Sequence, residues 1–125
     1  MRSALPLLAA LALGACATLP AAAPMRSDGL AHLGEATRVG RLTVTPLAVV
    51  EDSRCPINVR CVWAGRAVVR TLVVGPDWRE SLNLTLGEQA ATHGTAIALT
   101  SLEPGKVAGA QPPPQRQVFG FEGGR

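Results

Sequence analysis

The sequence predicts an all-β fold: a small antiparallel β-sandwich or barrel-like domain of 5–6 short strands behind a flexible N-terminal tether. Three observations carry this. Apolar and polar residues alternate with period 2 over residues 41–50, 78–86 and 95–102, the pattern of half-buried strands. Turn chemistry such as Gly75-Pro76-Asp77 and His93-Gly94 separates the runs. No long amphipathic helix and no internal repeat breaks the pattern.

A chain of 125 residues holds one small domain. Its aromatic residues are Trp63, Trp78, Phe119 and Phe121, with no tyrosine. The core must therefore come from Val, Leu, Ile and Ala. The net charge of +3 is carried mainly by arginine, with Lys106 the only lysine. The basic residues are scattered, without the basic stripe and aromatic platforms that a nucleic-acid surface needs. No nucleic-acid partner is expected.

Residues 1–15 read as an export signal. Arg2 is a positive n-region, and residues 4–13 are apolar but too short for a membrane-spanning helix. They end in Leu13-Gly14-Ala15-Cys16, which resembles the lipobox of bacterial lipoproteins. That resemblance implies cleavage before Cys16, a diacylglycerol on its thiol and an acyl chain such as palmitate on the new amine. It also implies that the membrane is a partner through the Cys16 lipid. By analogy with Gram-negative lipoproteins, Ala17 in place of Asp implies the outer membrane, facing the periplasm.

Residues 16–36 read as the lipidated cysteine and a flexible tether, with Pro20, Pro24 and Ser27-Asp28-Gly29 and no sustained period. His32, near its end, reads as a solvated side chain. The β domain is expected over 37–125.

Within it, residues 41–50 place Leu42, Val44, Ala48 and Val50 on one side and Thr43, Thr45 and Leu47 on the other. Pro46 lacks a ladder donor, so this strand lies at an edge or bulges there. The run from Cys61 to Val74 follows, with Trp63, Ala67, Val69, Thr71 and Val73 on its more buried face. Gly75-Pro76-Asp77 turns the chain into residues 78–86, where Trp78, Leu82, Leu84 and Leu86 face inward. Residues 95–102 form a short strand with Ile97 and Leu99 inward. Pro112-Pro113-Pro114 favours polyproline II within a loop. Residues 117–122 form the last strand, carrying Phe119 and Phe121, and residues 123–125 fray.

Between the first two strands lies the corner, residues 51–65, with Cys55 and Cys61. Two readings of the pair stand beside each other. With Cys16 used by lipid, two thiols remain in an exported chain, which is the arithmetic of a disulfide. A metal pair is the other reading, although C-x5-C is not a usual zinc spacing and His93 is the only histidine left in the domain. Asp52 and Ser53 can accept backbone N–H groups in the turn. Arg54 can pair with Asp52 or Glu51. Gly65 allows a bulge or a close neighbour. Trp63 is expected over the disulfide and the end of the core. Asp52, Arg54, Arg60 and Trp63 are the candidate recognition surface, since loops carry function disproportionately.

The corner sequence, Asp52-Ser53-Arg54-Cys55-Pro56 with Cys61-Val62-Trp63-Ala64-Gly65, is similar to a motif of small, uncharacterised bacterial exported proteins and lipoproteins. That resemblance implies export and a β-rich fold. It carries no activity.

Catalysis has little support. G-x-S-x-G, H-E-x-x-H and the phosphate-loop pattern are absent. Glu51 and Asp52 would point to opposite faces of a strand. No catalytic residue, cofactor or metal ligand is assigned. The expected function is a membrane-anchored envelope lipoprotein with a non-catalytic binding or structural β domain, an envelope protein being a candidate partner. One alternative is a periplasmic metal- or small-ligand-handling module using Met25, His32, His93 and the thiols. Another is a small hydrolase or inhibitor domain.

Overall fold

Two four-stranded antiparallel sheets pack face to face in the computed structural model of the chain, which describes Gly14, residues 24–109, Pro113 and residues 116–125. The strands are β1 (Leu30–Ala31), β2 (Thr37–Val39), β3 (Leu42–Asp52), β4 (Ala67–Val74), β5 (Arg79–Thr85), β6 (Gln89–Thr92), β7 (Thr95–Glu103) and β8 (Val118–Gly123). One sheet runs β2-β3-β4-β5 and the other β1-β8-β7-β6. The all-β sandwich read from the period-2 runs is the architecture found.

The inner faces follow the alternation. Val44, Val69, Val73 and Leu84 from the first sheet share one core with Ile97, Leu99, Leu102, Phe119 and Phe121 from the second. Both phenylalanines are buried, and Trp78 packs partly buried against the same cluster. The indole of Trp78 lies over Gly75, where a Cβ would collide with the ring. Glycine at that position lets the β4–β5 hairpin fold its tryptophan back onto the core.

Pro46 behaves as its chemistry requires. It pairs with Thr71 across β4, and the register shifts between Pro46 and Ala48 and again between Val49 and Glu51. Each shift moves the side-chain alternation to the other face. Val50, expected inward, is therefore 48% exposed, and Val49 packs against the core in its place.

The ordered chain begins before Thr37. Arg26 forms a parallel bridge with Thr37, and β1 pairs with β8 through Leu30↔Gly120 and Ala31↔Phe119. Arg26 also holds Asp28 at 2.8 Å and Glu35 at 3.2 Å. His32 is not freely solvated, because its Nδ1 lies 3.0 Å from the Gln117 carbonyl. Residues 26–36, read as part of the tether, thus belong to the fold. A two-residue strand has too few side chains to show a period, which hid β1 from the sequence.

The second sheet holds a strand that was not expected, β6, and an end that does not fray; the turn read at His93-Gly94 is found. β6 joins β7 through His93 and Gly94, with φ of 44° and 76°, flanked by the pair Thr92↔Thr95. Positive φ at both loop residues is the geometry of a type I′ hairpin. Residues 123–125 do not fray as a unit. Gly124 is buried; its carbonyl accepts from Arg41 N–H and its N–H donates to Ala96, both at 2.8 Å. These bonds sew the two sheets together at one end. Cys16, and Pro112 and Pro114 of the proline run, lie outside the described residues.

Candidate recognition surface

The β3–β4 hairpin is prolonged beyond the sheet to make the corner. Ser53 N–H donates to the Arg66 carbonyl at 2.8 Å and Cys55 N–H to the Ala64 carbonyl at 3.0 Å. The two chain arms thus remain paired to the disulfide. Arg66 N–H donates to Ser53 Oγ at 3.0 Å. Gly65 has φ of 68°, and a Cβ there would collide with the Ser53 carbonyl. Only glycine permits that approach, in agreement with the reading of Gly65 as a close-packing position.

Cys55 and Cys61 form a disulfide, with Cα atoms 5.8 Å apart. Both sulfurs are used, so the metal-pair reading of these two residues fails. Among the described residues, no group of three His, Cys, Asp or Glu side chains is placed to hold a metal ion.

Charged groups hold the base of the corner. Arg54 Nε donates to Asp52 Oδ1 at 2.8 Å, Nη2 donates to Oδ2 at 3.0 Å, and Nη1 donates to the Leu102 carbonyl at 3.0 Å. The side chains of Arg54 and Asp52 are only 16% and 20% exposed. Arg54 and its hydrogen bond hold the Asp52 carboxyl below its ordinary value, against a smaller upward push from burial. The same partner raises the Arg54 guanidinium. Lys106 Nζ donates to the Asp52 carbonyl at 2.9 Å. Glu51 pairs with Arg66 at 3.0 Å. The loop after β7 adds two clamps, Ile57 N–H to the Lys106 carbonyl at 2.8 Å and Ala108 N–H to Asn58 Oδ1 at 2.9 Å.

The tip beyond this base is apolar and exposed. Trp63 is 82% exposed, Val62 91%, Ile57 77% and Val59 46%. The expectation that Trp63 covers the end of the core is overturned. β4 starts at Ala67, so residues 62–66 lie outside the strand and its alternation does not carry Trp63 inward. The core is filled without it.

The four residues read as a recognition surface therefore divide. Trp63 and Arg60 stand at the exposed tip, and Arg60 makes no ion pair or side-chain hydrogen bond among the described residues. Asp52 and Arg54 lie at the base and are committed to each other. The sequence reading missed Ile57, Val59 and Val62. The available signal was three aliphatic residues inside a stretch dense in turn formers, where no strand face could take them. A second signal is charge: residues 53–76 contain four arginines and no carboxylate.

The opposite end of the sandwich holds a small cleft of about 280 Å³, lined by Arg41, Asp77, Trp78, His93 and Arg125 among others. His93 stacks on Trp78 with ring centroids 4.0 Å apart, and its Nε2 lies 3.2 Å from Glu80 Oε2. Thr92 Oγ1 donates to the same carboxylate oxygen at 2.9 Å. His32 is held at the Gln117 carbonyl and His93 on Trp78, so the two histidines do not share a site. No family model, curated protein or solved structure matches this chain.

Proposed function

We propose that this chain is an envelope lipoprotein, anchored by lipid on Cys16, whose β domain is a non-catalytic binding module. Its recognition surface is the tip of the corner, with Trp63 and Arg60 at its centre and Val62 and Ile57 beside them. One observation carries the binding reading: a tryptophan 82% exposed on a loop that a disulfide and its paired arms hold rigid. Exposed apolar clusters of this kind mark interaction sites, and a preordered loop loses little entropy on binding. The polar side chains of the corner support the same reading. Asp52, Ser53, Arg54 and Lys106 are occupied in holding the loop, leaving apolar area and the Arg60 charge as what it offers.

The lipobox order, from n-region to apolar run to Cys16, supports the anchor. The Cys55–Cys61 bridge suits an oxidising compartment, and Ala17 suits the outer membrane facing the periplasm. Expression in a Gram-negative host tests the anchor. Globomycin should cause the unprocessed form to accumulate, and Cys16→Ser should remove the acyl mass and move the protein out of the detergent phase. Unchanged partitioning of Cys16→Ser would end the lipoprotein reading.

A further inference from the structure

We propose that the corner tip docks into the interface of an anionic lipid bilayer, the same bilayer that holds the Cys16 lipid. The proposal rests on the lipoprotein reading and names the partner of its recognition surface.

Chain direction provides the first argument. β3 runs toward the corner and β2 runs away from it, with Thr37 opposite Val44. Arg26 bridges Thr37 in parallel. The chain therefore passes Arg26 travelling away from the corner, with Pro24 and Met25 beside Glu35 and Ala36 on its corner side. Gly34 N–H donates to the Pro46 carbonyl at 2.7 Å, which places the link before β2 alongside the corner-proximal half of β3. From Val44, which shares the register of Arg26, to Asp52 is roughly 27 Å of strand. Residues 16–26 span at most roughly 35 Å when extended. An extended segment thus has the length to bring a lipid on Cys16 to the corner's end of the sandwich, the end that carries Trp63.

The second argument is the chemistry of the tip. Trp63 is an amphipathic ring of the kind that settles at headgroup level. Val62, next to it in the chain, and Ile57, inside the disulfide loop, offer aliphatic area at the same corner, both more than three-quarters exposed. Among the described residues Arg60, next to Cys61, makes no ion pair, and residues 53–76 contain no carboxylate. Arg54 and Arg66 are paired with Asp52 and Glu51 at the base, where Glu103 and Lys106 also lie, so Arg60 is the charge nearest the tip. An acyl anchor supplemented by a second, weaker membrane contact is a recognised physical arrangement, and here that contact would fix which end of the sandwich faces the lipid.

The test uses the processed lipoprotein reconstituted in vesicles of phosphatidylethanolamine and phosphatidylglycerol brominated on their acyl chains. Acyl mass on Cys16 is checked first. The wild-type spectrum minus that of Trp63→Ser isolates Trp63 from Trp78. Trp63 emission should shift to the blue and be quenched by the brominated chains. In parallel, the mature chain with Cys16→Ser should sediment with the same vesicles. Its partition should fall about tenfold or more with Trp63→Ser. Arg60→Ser should lower it about fivefold on anionic vesicles and leave binding to purely zwitterionic ones unchanged. If Cys16 is acylated and Trp63 nevertheless stays in water, the bilayer proposal is overturned while the anchor stands. If Cys16 carries no acyl chain, the anchor fails, and sedimentation of the Cys16→Ser chain still decides the tip. Protection of Trp63 only when envelope proteins are added would assign the tip to a protein partner and overturn the bilayer.

Discussion

Arg54 grips Asp52 with two parallel hydrogen bonds, Nε to Oδ1 at 2.8 Å and Nη2 to Oδ2 at 3.0 Å, while its remaining arm reaches the Leu102 carbonyl. One ion pair thus fixes the root of the corner to itself and to β7 in the opposite sheet. Bidentate geometry in a largely enclosed place makes it worth more than an ordinary surface pair. Asp52→Asn keeps the shape and removes the charge. It should lower stability by about 1–2 kcal/mol, measured by urea denaturation. A change below ~0.3 kcal/mol would mean that the pair is solvated like any surface bridge.

The pH dependence follows from the same contact. Arg54 keeps the folded Asp52 carboxyl below its unfolded value, which is ~3.9. The pair's contribution is therefore complete above that unfolded value and is lost as pH falls through the lower folded one. Stability plotted against pH should drop in this acidic window more steeply in the wild type than in Asp52→Asn. Parallel curves for the two proteins would remove the linkage.

The disulfide closes a seven-residue loop. In the chain-entropy model that constraint is worth about 2.4 kcal/mol, and native bridges typically contribute 2–4 kcal/mol. Cys55→Ala with Cys61→Ala should cost about that much, with no response to added chelator. Unreduced mass spectrometry should find the bridged protein two hydrogen atoms lighter than the reduced form. A melting temperature that falls on chelation would contradict this.

The two tryptophans should behave oppositely. Trp63→Ser should change stability by less than about 0.5 kcal/mol, as an exposed substitution does. Trp78→Ala, which empties the space over Gly75, should cost about 3 kcal/mol. In the unbound protein Trp63 should account for most of the acrylamide-accessible fluorescence. Equal protection of both rings would place Trp63 in a packed environment.

Gly65→Ala tests the close approach to Ser53. The positive φ and the blocked Cβ position should together cost about 1–3 kcal/mol. Arms that no longer pair should also expose the Ser53 and Cys55 amides to hydrogen exchange. Wild-type protection in the variant would show that the corner relaxes around the added methyl.

The parts of the fold legible in the sequence are those with a long period. Leu42 and Val44, then Val69, Thr71 and Val73, then Ile97 and Leu99 lie inward as the alternation requires. Pro46 announced its bulge through chemistry. Val50 did not, because a register shift leaves no mark on composition. β1 and β6 are too short to display a period against their neighbours. Gly124 is bound by backbone groups alone, and backbone bonding has no residue code. At the site, Cys55 and Cys61 were legible from arithmetic, and Gly65 from its place beside the turn. Trp63 was misplaced because large apolar residues are ordinarily buried. The strand pattern was extended back past Ala67, into a segment whose Gly65 and Ala64 had already left the sheet.

β8 lies between β1 and β7, although it follows every other strand in the chain. Phe119 and Phe121 on that strand fill the centre of the core, and Gly124 just beyond it binds both sheets. A ribosome or translocation channel delivering the chain from its N-terminus would present seven strands that cannot yet close. β1 would have no hydrogen-bonding partner until residues 118–120 emerged, and the aliphatic inner faces would stay open to water and to other chains. Closure of the sandwich therefore waits for the last strand, and until then the inner faces are open to aggregation and proteolysis.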